Sequence, residues 1–598
     1  MVGRGTGRLA WVGPVAAIVA FLATRVAFLD RDLPPWDLAQ YQPIDESAYT
    51  IPAFNLLHYG TWTHQDVPWV PLEGSPMNVL QSLVTSWTLT LSQTYWGFRL
   101  PSVLFGLIAF LAMVAVVRRL VGVARADGVA LPFPPGLIVT AAVLLLLADF
   151  SFLMGGRVVE ATIPRLAETA VLVWLVARGS LLGDGHRGRG SFGIGLFVGA
   201  AVGFGYVYNA FLLPGALLAV AGWALGRTSR RELVRHIVLA GLGMAVALGV
   251  YFGWVWLVYG QGPAGWYDTW LALYRTAGRA STVDPTGLWD LLVGNIFRLD
   301  RPFMALVLLA LPVFAWWTRR SRNSVGIVVL ALAVAFAAQC TVQSDYPQRK
   351  MLILLAFAVP IVAGGLLRTS AFLDWARAGR RRMVAITAWA LVVGLGTVVF
   401  ILPPRLSHWT TLAHILGLPP SAQVAYRVGN TGLVVLIGAV VGLAALGALL
   451  AGWRRARLAR GAGAVLLLAM LLPLAAVDAR YVFTDVTTTY RDAMISVGAL
   501  PDNAVIAGGS SHAMQLYDGS RAVLQGNVFG MTVSQYEAAV VRYFAEGRAR
   551  WMFAYADQAS LTRWTALGFR VVQTYPIPLP KDRIMGRYEY AGPISQAP

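Results

Sequence analysis

Apolar runs long enough to cross a bilayer recur along the first 477 residues, and the basic residues between them fall in short arginine clusters. A span needs about 20 mostly apolar residues, and inside a membrane only helices or closed barrels satisfy every backbone polar group. A chain so patterned is committed to a bundle of spanning helices. With 57% hydrophobic residues, 13% charged and a mean hydropathy of +0.62, a soluble globular fold is excluded.

The formal charge of +19 would suggest a nucleic-acid partner if the cations shared one soluble domain. They do not, so nucleic acid is set aside. Lys350 and Lys581 are the only lysines, and the arginines punctuate apolar runs, which is the footprint of membrane topology. Cys340 stands alone, without a partner for an internal disulfide. The first apolar stretch lacks a small-residue cleavage site after it and reads as a retained span.

About thirteen spans are expected, near 10–29, 100–117, 134–150, 163–177, 191–208, 211–226, 237–259, 303–318, 324–342, 351–367, 383–402, 432–451 and 461–477. Alternate connections then carry Arg4 and Arg8; Arg118, Arg119 and Arg125; Arg178, Arg187 and Arg189; Arg227, Arg230, Arg231 and Arg235; Arg319, Arg320 and Arg322; Arg368, Arg377 and Arg380 to Arg382; and Arg454 to Arg460. The positive-inside rule makes that set, and the N-terminus, cytoplasmic. The opposite set, roughly 30–99, 151–162, 260–302, 343–350, 403–431 and the tail from 478, faces outward. Met77 to Tyr95 is apolar enough to span, but counting it would turn every later arginine cluster outward. It reads instead as an interfacial helix on the outer surface, with Trp87, Tyr95 and Trp96 suited to that depth.

Residues 478–598 hold no run of spanning length. Strands are expected at Ala504 to Ala507, Arg521 to Gln525, Trp551 to Tyr555 and Phe569 to Thr574, with an amphipathic helix at Val533 to Glu546 and another between the last two strands. The expected organisation is thus a polytopic all-α membrane domain, 1–477, followed by an extracytoplasmic α/β domain, 478–598. Gly508-Gly509-Ser510 lacks a Walker lysine and GxGxxG spacing, and reads as a tight turn.

The first outward loop carries Asp30, Asp32, Asp37, Asp45, Glu46, Asp66 and Glu73 against only Arg31 and Arg99. Adjacent Asp45 and Glu46 suit removal of a proton from an acceptor hydroxyl; the plainer reading is a cap for the helix-compatible stretch behind them. In the second outward loop, Arg157 and Glu160 lie at a spacing that permits pairing on a helical turn, while Arg165 reads as an interfacial anchor. Gln348-Arg349-Lys350 puts two cations at an outer helix end, against the prevailing charge pattern, where they suit a lipid phosphate. His58 and His64 belong to no HExxH or Cys/His cluster. That argues for metal independence, although two carboxylates can still hold a divalent ion.

Taken in order, Asp45-Glu46-Ser47-Ala48-Tyr49, Leu57-His58-Tyr59-Gly60, Phe98-Arg99-Leu100-Pro101-Ser102, Gly155-Gly156-Arg157 with Glu160, and Tyr346-Pro347-Gln348-Arg349-Lys350 resemble the membrane glycosyltransferases of the GT-C fold. The likeness is to the bacterial branch related to protein O-mannosyltransferases and lipid A aminoarabinose transferases. It implies a polyprenyl-phosphate sugar as donor, an inverting displacement with Asp45 as base, and Glu46 and Glu160 as accompanying acids. Arg99, Arg157, Arg349 and Lys350 become candidates for the donor phosphate, and Tyr49 and His58 for the pocket. No cofactor is implied. The partners are the donor, membrane lipid, and an acceptor that is lipid, glycan or protein. The chain departs from the family in reading Glu73-Gly74-Ser75-Pro76 where many relatives have Lys-Pro-Pro, and in placing Glu160 where aspartate is common. The competing reading is a transporter or flippase of a lipid-linked saccharide, against which stands the scarcity of acids within the spans.

Overall fold

The computed structural model describes residues 12–31, 79–128, 135–159, 162–178, 188–205, 207–225, 228–259, 301–342, 352–401, 505–507, 521–524, 533–547, 549–577 and 583–592, with isolated positions between them. The helical part comprises α1 (Val12–Val26), α2 (Val79–Leu91), α3 (Tyr95–Ala126), α4 (Pro135–Leu147), α5 (Phe150–Gly155), α6 (Thr162–Ala177) and α7 (Arg189–Ala200). A π-helical turn, Ala201–Gly205, and a 3₁₀ turn, Val207–Phe211, lead into α8 (Leu212–Ala224). Then follow α9 (Arg230–Tyr259), α10 (Arg301–Ser321), α11 (Ser324–Val342), α12 (Leu355–Arg377) and α13 (Arg380–Ile401). Among the described residues, Trp96–Ala126, Arg230–Val258 and Leu352–Arg377 are long and apolar enough to cross a membrane. The expected spans at 432–451 and 461–477 lie outside the described residues.

Several helices outrun the apolar runs that announced them. α9 starts at Arg230 rather than near 237 because Ser229 and Glu232 form a capping box. Glu232 Oε2 accepts from the Ser229 amide at 3.0 Å, and Ser229 Oγ accepts from the Glu232 amide at 3.3 Å. α3 continues to Ala126 because arginines are good helix formers and its end is held: Arg119 Nε donates to the Ala177 carbonyl at 3.0 Å. Arg368 Nη2 and Trp317 Nε1 both donate to Asp127 Oδ2, at 2.5 and 2.9 Å. These contacts gather the C-terminal ends of α3, α6, α10 and α12 at one end of the bundle, with the arginine clusters they carry.

Helix packing relies on small residues. A Cβ at Gly195 on α7 would lie 1.9 Å from the Ala240 carbonyl oxygen, and one at Gly243 on α9 would lie 2.2 Å from the Phe192 carbonyl oxygen. Only glycine permits this backbone approach, the usual device where helices cannot rely on water to drive them together.

α2 is the helix expected between Met77 and Tyr95, and its inward face is largely polar. Gln81, Ser82, Thr85 and Thr88 are buried together with Val79 and Leu89, whereas Leu80, Leu83, Trp87 and Leu91 are exposed. Thr85 and Thr88 satisfy their hydroxyls on the helix's own carbonyls, those of Gln81 and Thr85, at 2.8 and 3.0 Å. An apolar face turned outward is what contact with lipid favours. Its 13 residues rise about 20 Å, short of the ~30 Å hydrocarbon core.

The carboxy-terminal part holds β1 (Val505–Ala507), β2 (Arg521–Leu524), α14 (Val533–Ala545), β3 (Trp551–Tyr555), α15 (Gln558–Ala566), β4 (Phe569–Ile577) and β5 (Arg583–Tyr590). The sheet order is β2-β1-β3-β5-β4, parallel where β1 meets β2 and β3, and antiparallel where β5 meets β3 and β4. Val540, Tyr543 and Phe544 of α14 pack with Met552, Trp564, Phe569 and Tyr588 in one core. Strand β5 was not expected. Its charged residues and central Gly586 hide the alternation, and Gly586 is required because a Cβ there would lie 2.9 Å from the Ala556 Cβ.

Candidate functional site

The last turn of any helix leaves carbonyls without intrahelical partners. At the end of α1, Thr24 O and the carbonyls of the residues just beyond the helix are taken by arginines from elsewhere in the chain. Arg157 Nη1 donates to Thr24 O at 2.7 Å, and its Nη2 donates to Ala27 O at 2.7 Å and Phe28 O at 2.6 Å. Arg99 Nη1 donates to Leu29 O at 2.9 Å and Arg31 O at 2.6 Å. Both guanidinium groups are fully buried. Residues 27–31, the chain's entry into the acidic loop, are therefore clamped from two sides.

The local sequence explains how each arginine gets there. Asp149 caps α5, accepting from the Phe152 amide at 2.7 Å, and α5 ends on Gly155-Gly156. A Cβ at Gly155 would lie 2.8 Å from Leu352 Cδ2 and 3.0 Å from Ile163 Cδ1, so glycine lets α6 and the start of α12 close on the turn that presents Arg157. Ser102, one turn beyond Arg99 on α3, donates to Val158 O at 2.5 Å and ties the start of α3 to the turn that follows α5. Arg25 adds a cation–π contact with Phe21, 4.5 Å from the ring centre, and donates to Thr24 Oγ1 at 2.7 Å.

The tail reaches this same end. Arg31 Nη1 donates to Val482 O at 3.4 Å, and Arg491 Nη1 pairs with Asp30 Oδ2 at 2.6 Å. The hydrogen bond it donates to Asp30, with the carboxylate's charge, raises the Arg491 guanidinium above its ordinary range.

A second polar cluster lies within α6. Arg165 Nε donates to Asn209 Oδ1 at 2.9 Å, and Asn209 Nδ2 donates to Glu168 Oε2. All three side chains are buried. Arg165 is thus no interfacial anchor: it serves a buried network that joins α6 to the irregular backbone between α7 and α8. A Cβ at Gly205, in the π-helical turn, would lie 2.1 Å from Glu168 Oε1, so the turn accommodates this carboxylate by having no side chain there. Gln339 Oε1, near the end of α11, accepts from the Phe211 amide at 2.8 Å and holds the same region from the other side. Glu168 escaped the sequence reading, although an acid inside an apolar run, three residues after an arginine, is a signal of such a network.

Of the candidate residues, Arg99 and Arg157 are described, and both point at backbone carbonyls. Asp45, Glu46, Tyr49, His58, Glu160, Arg349 and Lys350 lie outside the described residues. The described residues that flank those positions do converge: Arg31 precedes the acidic loop, Val159 precedes Glu160, and Leu352, just after Lys350, packs on Gly155. No group of three or more His, Cys, Asp or Glu with metal-ligating placement occurs among the described residues.

Among solved structures the chain is similar to ArnT from Cupriavidus metallidurans in the apo state, at 17% identity and a TM-score of 0.57, over 98% of each chain. It is similar to the same protein bound to undecaprenyl phosphate at 15% identity and a TM-score of 0.56, again over 98% of each. The Archaeoglobus fulgidus oligosaccharyltransferase in complex with Zn and sulfate gives 11% identity and a TM-score of 0.45, over 90% of this chain and 67% of that one, a likeness too weak to carry argument. No family model and no curated protein sequence matches the chain. The end-to-end likeness to ArnT establishes the GT-C fold, the architecture expected from the order of the sequence motifs.

Proposed function

We propose that this protein is a polyprenyl-phosphate-sugar-dependent glycosyltransferase of the inner membrane. On this reading it is multi-pass, its N-terminus cytoplasmic and residues 478–598 forming an extracytoplasmic α/β domain. The observation that carries the proposal is the fold shared, over 98% of both chains, with a protein crystallised with undecaprenyl phosphate. The acidic first loop, anchored through Arg99 and Arg157, supports it independently.

In the proposed reaction Asp45 takes the proton from an acceptor hydroxyl or amine. The freed lone pair attacks the anomeric carbon from the face opposite the phosphate. The bond from that carbon to the phosphate oxygen breaks, and the electron pair leaves with polyprenyl phosphate, so configuration inverts. Glu46 and Glu160 support the base, and Tyr49 and His58 line the pocket. Charge developing on the departing phosphate needs preorganised cations, and Arg349 and Lys350 suit that role. Arg99 and Arg157 remain within the proposal as residues that position the loop, since their guanidinium groups are directed at its backbone. The Asp30–Arg491 pair supports an acceptor-presenting role for the tail beside the loop.

The test is a transfer-and-hydrolysis assay on purified protein with a panel of polyprenyl-phosphate sugars, wild type beside Asp45→Asn. Release of polyprenyl phosphate by wild type, reduced on the order of 10²–10⁴-fold in the variant, is expected for loss of a general base. Wild-type turnover by Asp45→Asn would remove that residue from the mechanism.

A further inference from the structure

At the arginine-rich end of the bundle, away from the α1 clamp, a groove of about 470 Å³ opens between α8, α10 and α11. Its walls are apolar, with Leu218, Leu225, Ile327 and Leu330 among them, and Leu218 and Leu225 stand 49% and 67% exposed. Three features depart from a plain lipid-facing surface. Arg319 and Arg322 line it, both exposed. Thr318, also in the lining, is 4% exposed, yet its Oγ1 has no hydrogen-bond partner. On a helix such a hydroxyl ordinarily bonds the carbonyl four residues back; here it sits in the notch left by Gly326, where a Cβ would lie 2.0 Å from it.

The third feature is the turn itself. α10 and α11 are joined by Arg322 and Asn323, and Asn323 Oδ1 caps α11 by accepting from the Gly326 amide at 2.6 Å. Reversing direction so tightly puts Arg322 at φ 51°, in the left-handed region where a side chain costs about 1–2 kcal/mol. Glycine would make the turn without that cost. The strained residue is instead one that brings a cation to the lip of the groove.

We propose that this groove binds an anionic glycerophospholipid of the leaflet at the arginine-rich end. The phosphate sits at Arg319 and Arg322, and an acyl chain lies along the apolar wall. Basic pockets between spanning helices recognise acidic head groups in this way. The site lies at the opposite end of the bundle from the acidic-loop anchor, so its occupant is not the sugar donor, and it stands or falls apart from the reaction proposed above.

The test is native mass spectrometry of the full chain released from micelles with equimolar phosphatidylglycerol and phosphatidylcholine. Wild type is expected to retain one phosphatidylglycerol in preference. Arg319→Gln/Arg322→Gln should reduce that adduct roughly tenfold or more, from two surface cations. Arg320→Gln, which removes a neighbouring charge stacked 5.6 Å over Trp316, should leave it unchanged. Ala331→Phe, filling the groove with both arginines kept, should also abolish retention and serves if the double variant fails to fold. Equal retention of the two lipids, survival of the adduct in Ala331→Phe, equal loss in Arg320→Gln, or displacement by millimolar inorganic phosphate would each overturn the proposal.

Discussion

Arg491 Nη1 stands 2.6 Å from Asp30 Oδ2 across 461 positions of sequence. The pair joins the stretch that leads into the sheet to the residue that opens the acidic loop. Its side chains are 36% and 28% exposed, so solvent screens it and its coupling is expected at about 0.2–1 kcal/mol. A double-mutant cycle with Asp30→Asn and Arg491→Gln should return that value. Faster proteolysis between 478 and 500 in either single variant would mark the released tail; identical digestion in all four proteins would deny the tether.

Arg157 presents a sharper case, since its bonds hold three carbonyls. Arg157→Met leaves buried acceptors unsatisfied, at about 1–3 kcal/mol each, and should lower the unfolding temperature and kcat together. Donor KM should hardly move in whatever fraction remains folded. A selective rise in donor KM, without loss of stability, would show instead that the guanidinium meets the phosphate.

Arg165 and Glu168 make a buried charged network, and removing one member strands the other. Arg165→Met should destabilise by roughly 3–5 kcal/mol, and Arg165→Met/Glu168→Leu should recover part of it. Thermal unfolding in detergent decides. If the double variant is as unstable as the two single effects added, the residues are not coupled.

Tyr588 sets a pH dependence in the carboxy-terminal sheet. Burial, and secondarily the charge of Asp557, pushes its phenol up to about 12 from 10.0. The folded state therefore keeps its proton where the unfolded chain has lost it. Stability from this group is whole below pH 10 and falls as pH rises toward about 12, by on the order of 2 kcal/mol at most. Tyr588→Phe should remove that slope. An alkaline unfolding curve unchanged by the substitution would place the titration elsewhere.

Much of this architecture was legible where one physical signal dominated. Apolar length marked the helices at Trp96–Ala126, Arg230–Val258 and Leu352–Arg377, and helical spacing in Val540 and Tyr543 marked α14, whose side chains there are buried. β3 runs over Trp551–Tyr555 as read from its run of apolar residues. What failed to show was partnership. Arg99, Arg157 and Arg165 look alike in a linear sequence, as cations beside apolar runs, and only packing distinguishes a carbonyl clamp from a phosphate ligand or a headgroup anchor. Glu168 hid because Asn209, the partner that makes it tolerable, lies 41 positions away. The inward face of α2 hid for a related reason: periodicity gives the existence of two faces, and their surroundings decide which one turns inward.

The bonds that Arg99 and Arg157 make to the backbone at the end of α1 and just beyond it end on carbonyl oxygens, and this bears on how the stretch leading into the loop behaves in changing surroundings. A carboxylate partner lets go when acid protonates it, and exposed ion pairs weaken with salt. A carbonyl does neither, and an arginine does not deprotonate in a protein. The bonds from Arg99 and Arg157 to Thr24, Ala27, Phe28, Leu29 and Arg31 are therefore, each in itself, indifferent to acidity and brine. Acid or salt that alters the loop's own charges, or loosens the Asp30–Arg491 pair, does not act on these bonds directly.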